Sequence, residues 1–460
     1  ISDLGGFKIG ALTGMDEVFV ITEKEIEDYS LEEGVLYPYA YQGEEITKYG
    51  PVEPSEYVIY PYKEGEDGDA VLIDEDKLRT QYPNVHAYLE SNKDELTSRK
   101  DSRKLYADGP DWYQFLRQGR YRYVRPAKLL IRGVAKESCV GYLPEETIFS
   151  GANCPGFIPD GTGADLDYLF AVLNSTLISE YLTQICPDKM QGYTRFNANN
   201  LNKTPIKIID EKEEPKGTDQ AVEDHISGRE NIVTSEIEDD VTRSSYLSIL
   251  SKEIRKRVDE KTSYNLDIRD YLGAFEEGPK LGDIGLVQPP EGASNSVFYA
   301  TTEEFEKLRF HKSSLQITTD SRGTVLSGKG RYKPENPDEY EVDNNGYTTS
   351  DEEGILIIRG LSEEENKLLQ EFVPAAVNNE TSGFRKSAGK TISLVDRFKN
   401  IILPDLGKIE QEFEQYLEVK TRNDELEKEI HRAESLIDDI VYDFYRITPD
   451  EREIIESSNE

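Results

Sequence analysis

Apolar and polar positions alternate over residues 7–21 and again over 57–62, the two-residue period of half-buried strands. The first stretch, FKIGALTGMDEVFVI, predicts two strands about a turn at Thr13 and Gly14, where glycine supplies a positive φ. A polar helix is expected near 23–29. Between Pro83 and Arg99 the residues Val85, Tyr88, Leu89 and Leu96 mark one apolar helix face. Strands are expected at 121–124 and 128–134, and a Gly/Pro loop at 151–163. A strong helix is expected from Asp165 through Leu169, Val172, Leu173, Leu177 and Leu182, before a closing strand at 204–209.

Acids with Pro and Gly then dominate 210–241, the pattern of a mobile linker, and a short helix is expected over about 244–262. A second module opens near Asn265. It predicts a strand-and-turn section from 281, strands at 296–299 and 354–359, a helix over 362–377 and a strand at 400–404. Helix, basic loop and apolar strand reaching Pro repeat the order seen at 165–209, so a diverged internal duplication is expected. From about 407 to 447 the pattern is one long helix. Its positions Leu426, Ile430, Ala433, Ile437, Ile440 and Phe444 are spaced as a coiled-coil-like seam. The expected fold class is α+β: two mixed α/β lobes plus a long C-terminal helical arm. The expected divisions are 1–210, a linker and helix at 211–264, a second module at 265–406, and helices at 407–460.

Charge changes the picture most. With 91 Asp and Glu against 54 Lys and Arg, the chain carries −37, yet residues 112–136 contain no acid. They hold Arg117, Arg120, Arg122, Arg125, Lys128, Arg132 and Lys136, interleaved with Trp112, Tyr113, Phe115, Tyr121 and Tyr123. Guanidinium groups match phosphates and guanine edges, and aromatic faces can stack on bases. The plainer reading is a sheet whose outward arginines pair with the plentiful acids. Residues 189–209 are acid-free too, with Lys189, Arg195, Lys203 and Lys207 beside Asn197, Asn199, Asn200 and Asn202. A third cation-rich region, 307–334, includes Arg331, and Arg385 and Lys386 suit backbone phosphates. Acid spread over nearly every segment points to a high-salt source, against which folding without molar salt would count.

Catalytic patterns are sparse. Gln288-Pro289-Pro290-Glu291 lacks the aromatic that an amino-methyltransferase stacks on a flipped base. Residues 383–391 put five residues between glycines where a phosphate cradle needs four. The triplet Glu75-Asp76-Lys77 lies in helix-like sequence rather than on a nuclease hairpin. Cys139, Cys154 and Cys186 have no metal-ligand spacing. No apolar run is long enough to span a bilayer, so a cytoplasmic chain with no membrane partner is expected. The start at Ile1 without Met suggests the C-terminal part of a longer protein.

The run Gly10-Ala11-Leu12-Thr13-Gly14-Met15-Asp16-Glu17-Val18-Phe19-Val20-Ile21 resembles the entry to the target-recognition domain of TaqI-like and type IIG adenine-specific DNA methyltransferases. That family usually has Asn where Asp16 stands here. Similar too are Tyr88-Leu89 with Leu96, Pro126-Ala127-Lys128-Leu129-Leu130, Leu173-Asn174-Ser175, Thr204-Pro205-Ile206 and the closing segment 437–445. The middle module is more loosely similar to type I specificity subunits, which alternate recognition domains with helical spacers. The resemblance implies a parent enzyme of restriction-modification or phage defence that methylates adenine N6 from S-adenosylmethionine. Its catalytic domain would precede Ile1, and this chain would bind duplex DNA but no cofactor. Recognition residues vary with the site read, so the expected contacts rest on charge: Arg117, Arg120, Arg122, Arg125, Lys128, Arg195, Lys203, Arg331, Arg385 and Lys386. Asn197 and Asn199 are the adenine-edge candidates. A non-catalytic specificity subunit and an acidic scaffold protein stay open beside this reading.

Overall fold

All four residues of Lys128–Ile131 are buried, which suits the inner strand of a sheet. The computed structural model, which describes residues 1–151, 154–161, 164–209, 217–275, 277–301, 305–385 and 391–457, places it there. The antiparallel order is Gly5–Lys8, Gly156–Pro159, Lys128–Ile131, Val140–Leu143. Leu129 and Ile131 join a core with Leu169, Leu173, Leu250 and Ile437, while Leu130 packs on the other side with Ile46, Val52 and Phe149. A second sheet runs Ile148–Phe149, Leu36–Ala40, Tyr57–Ile59, Val20–Ile21.

The chain divides into two units. The first takes Ile1–Ser263 and Asp424–Glu460, the second Tyr264–Asn423. The second unit has its own core of Leu326, Leu356, Ile358, Leu369 and Phe372. Its main sheet is ordered Leu286–Gln288, Glu353–Arg359, Gly323–Gly328, Gln316–Asp320, with helix Glu363–Asn378 among its elements. Both units mix helices with mainly antiparallel sheets, so the α+β class holds.

Several local expectations need correction. Asp16–Phe19 is a helical turn rather than strand, because Thr13 turns back to bond Asp16 and the Met15 N–H. Gly14 is required in that turn: its φ is +76°, and a Cβ there would lie 2.1 Å from the Tyr106 hydroxyl. The 83–99 helix breaks at Asn92 into Pro83–Ser91 and Lys93–Thr97. The helix from Asp165 breaks at Ser175, whose extended backbone ends Leu166–Asn174 and caps Thr176–Ile185. The expected strand at 121–124 is a 3-10 turn, Tyr121–Tyr123. Residues 204–209 and 296–299 are not strands, and the 151–163 loop contains the strand Gly156–Pro159.

The largest correction concerns the linker. Among its described residues, Thr218–Ile226 and the start of Asp240–Ser263 are helical, and both helices belong to the first core. Val222, Ile226, Leu247, Leu250, Ile254 and Val258 are buried at three- and four-residue spacing. Arg257 joins the layers, meeting Glu223 at 2.8 Å, Glu253 at 3.0 Å and Glu429 at 2.7 Å. Leu406–Tyr445 is a single helix, as its pattern predicts. Leu426, Ala433, Ile437, Ile440 and Phe444 are buried, and the last four belong to the first unit's mixed core. No helix among the described residues is long and apolar enough to cross a membrane.

Candidate nucleic-acid interface

The two acid-free stretches of the first unit meet through backbone pairing. Val134–Ala135 pairs antiparallel with Thr194–Arg195, with Val134 opposite Arg195. The Phe196 N–H donates to the Gly133 carbonyl at 2.9 Å and extends the junction. Directly opposed residues on paired strands project to one side, so Val134 and Arg195 border the same groove. That groove, about 720 Å³, is also lined by Ile9, Arg132, Lys189, Tyr193 and Asn197. Arg132, Lys189 and Arg195 are its cations and Glu44 its one acid among the described residues. In a chain where acids outnumber bases, that local excess favours a polyanion.

The groove's polar groups are held to different degrees. Arg132 donates its Nε–H to the Ile46 carbonyl at 2.9 Å, which fixes the guanidinium at the wall. Lys189 and Arg195 have no acid partner among the described residues. Asn197 caps the short helix Ala198–Leu201 by accepting the Asn200 N–H at 3.1 Å. Its amide oxygen is thereby engaged, so a two-bond contact to an adenine edge would compete with the cap. Asn199 is exposed, and Lys203 donates to the Asn200 side chain at 2.9 Å. Asn202 is structural: it accepts the Phe7 N–H and donates to the Phe7 carbonyl.

The remaining arginines of the first stretch do not line this groove. Arg117 is exposed, its backbone paired with Leu12 and its side chain without an acid partner among the described residues. Arg120 lies 3.6 Å from Asp69, and Arg125 lies 2.7 Å from Glu64. Arg122 covers Gly68, so these three lean on the hairpin of Tyr62–Glu64 and Ala70–Leu72. All three are exposed, and exposed pairs of this kind stabilise by at most about 1 kcal/mol, so a phosphate can displace the acid. In the second unit Arg331 pairs with Asp343, and Arg385 lies 3.8 Å from Glu380. Lys386 lies outside the described residues.

Two readings of this stretch are overturned. Trp112, Tyr113 and Phe115 are buried with Phe19, Tyr60 and Tyr62, so their faces are not open to bases. Each such burial contributes about 1.5–3 kcal/mol, which accounts for aromatics here without a ligand. Lys128 is 0% exposed and cannot touch DNA. Its Nζ donates to the Val124 carbonyl at 3.0 Å and the Thr147 carbonyl at 2.8 Å, tying two loops beneath the sheet. Burial lowers the Lys128 ammonium from 10.5 to about 7, with Glu146 and Glu145 acting in the opposite sense. Between those values the unfolded chain binds the extra proton, so stability rises with pH across that window. The urea midpoint of the wild-type chain is expected to gain on that of Lys128→Met as pH rises from about 7 to about 10. Equal slopes would refute the assignment.

Sequence reasoning named Arg132, Lys136 and Lys189 as part of basic stretches but did not single them out. It missed Tyr193 and Ile9, which carry no charge signal. Only the strand pairing brings these residues together.

Residues 39–206 match the TaqI-like C-terminal specificity domain. The resemblance drawn from the sequence motifs is therefore shown over that segment. Over 226 residues, 46% of this chain, the sequence is 27% identical to the type II restriction enzyme and methyltransferase RM.Eco57I of Escherichia coli. The chain spans 22% of that protein's length. A solved structure of the type IIL restriction-modification enzyme MmeI in complex with DNA matches 54% of this chain and 32% of its own. The identity there is 16% and the TM-score 0.34.

Proposed function

With residues 39–206 matching the TaqI-like C-terminal specificity domain, we propose that this chain recognises DNA sequence for a restriction-modification enzyme. The observation that carries the proposal is the groove at the pairing of Val134–Ala135 with Thr194–Arg195, where three cations face one acid. Arg132, Lys189 and Arg195 hold the duplex there, with Arg117, Arg120, Arg122 and Arg125 as further contacts from the first stretch. Methyl transfer from S-adenosylmethionine to adenine N6 belongs to a catalytic domain of the same type IIG-like parent. RM.Eco57I, described as a restriction enzyme and methyltransferase, supports that assignment.

A labelled random-sequence duplex should bind the full chain in fluorescence anisotropy. Lys189→Ala with Arg195→Ala should weaken that binding and flatten the slope of log affinity against log salt by about 2, one unit per lost phosphate contact. Failure to bind duplex DNA, or an unchanged slope, would overturn the reading. A second reading, a non-catalytic type I-like specificity subunit, is favoured by the 40-residue helix Leu406–Tyr445. Methyl transfer by the parent chain alone would exclude it.

A further inference from the structure

Between Asp188 and Thr194 the chain forms a small closed hairpin. These two residues bridge antiparallel, and the Lys189 N–H donates to the Tyr193 carbonyl at 2.5 Å. The tip is Met190-Gln191-Gly192, and Gln191 (φ 65°) and Gly192 (φ 75°) both take left-handed backbone to turn the chain. Met190 is left 82% exposed. The chain has only two methionines, and the other, Met15, packs against a core. Met190 buries little of its side chain and so contributes little to folding. Ile9, Val134 and Tyr193, also exposed, border the groove that begins beside this tip. Lys189 and Arg195 flank the hairpin at its two ends.

We propose that Met190 is a wedge that enters the base stack of duplex DNA while Lys189 and Arg195 rest on the phosphates beside it. The proposal rests on the reading of the groove as a DNA surface. An apolar side chain inserted at a base step unstacks it and kinks the duplex, in exchange for wider contact with the protein. Methionine suits this: it is unbranched, slides between planar rings, and its thioether is polarisable against aromatic faces. The left-handed turn fixes the tip, so little ordering is needed when it inserts.

The test uses the full 460-residue chain and a random-sequence duplex library enriched by binding to it. Affinity is read by anisotropy, and unstacked thymines in either strand by permanganate oxidation. The wild-type complex should show thymines that react above the free-duplex level. Met190→Ala should lower that reactivity by about tenfold, and affinity by roughly three- to tenfold, because the unstacked step loses its filler. Met190→Leu should retain the reactivity. Met190→Lys adds a cation at the tip and should lose the reactivity even where charge sustains binding. A wild-type complex with no reactive thymine, or Met190→Ala and Met190→Lys that keep it, would overturn the wedge and leave the groove reading intact. Absence of duplex binding by the wild-type chain would overturn that reading, and the wedge with it.

Discussion

Arg99→Ala is expected to cost about 3–5 kcal/mol of folding stability, the loss typical of breaking a buried, fully bonded charge site. Arg99 is 4% exposed. Its guanidinium donates to four carbonyls: Leu96 and Trp112 at 2.8 Å, Thr13 at 2.9 Å and Gln114 at 2.8 Å. It also stands 5.3 Å from the Phe19 ring centre and 5.1 Å from that of Tyr106. Alanine would leave these carbonyls without their donor and open a cavity between the Thr13 turn and the start of the basic stretch. Arg99→Lys should recover only part of the loss, since one ammonium cannot reach four acceptors in a planar fork. Urea denaturation monitored by tryptophan fluorescence reads the effect at Trp112, the chain's one tryptophan. A loss under about 1 kcal/mol would place Arg99 among ordinary surface-like pairs and refute the account.

Arg257→Ala should cost about 3 kcal/mol by a different route. Here the guanidinium holds three carboxylates, Glu223, Glu253 and Glu429, which come from three helices of the first unit. Removing the cation leaves like charges facing one another across those helices. Burial raises the Glu253 carboxyl, but the Lys256 and Arg257 hydrogen bonds hold it below its usual range. The deficit should therefore be largest near neutral pH and shrink as pH falls into the carboxylate range at about pH 4. Thermal unfolding of both proteins across that range checks it. A deficit independent of pH would mean that lost packing, not charge, is the cause.

The helices were legible wherever an apolar face stood clear of its flanks, as in Glu363–Asn378 and Leu406–Tyr445. Their breaks were not, because Asn92 and Ser175 interrupt the backbone without interrupting the apolar spacing. The acids of 210–241 concealed the helix at 218–226 and the start of the one at 240–263: they read as linker, while Val222 and Ile226 carried the periodicity beneath. The candidate site was legible as two acid-free stretches but not as a groove. Pairing of Val134 with Arg195 joins residues far apart in sequence, and no local pattern announces it. Composition also could not divide the basic stretch by role. Lys128 and Arg195 look alike on paper, yet one bonds carbonyls under a sheet and the other faces solvent.

Because Asp424–Glu460 completes a unit that begins at Ile1, the second unit is an insertion within the first. On a ribosome the inserted unit emerges entire while its host still lacks Ala433, Ile437, Ile440 and Phe444. The host's apolar interior therefore stays open until residues 433–444 have been made. Translation order makes the embedded body the earlier to mature, and a message truncated before those codons leaves the first unit unfinished.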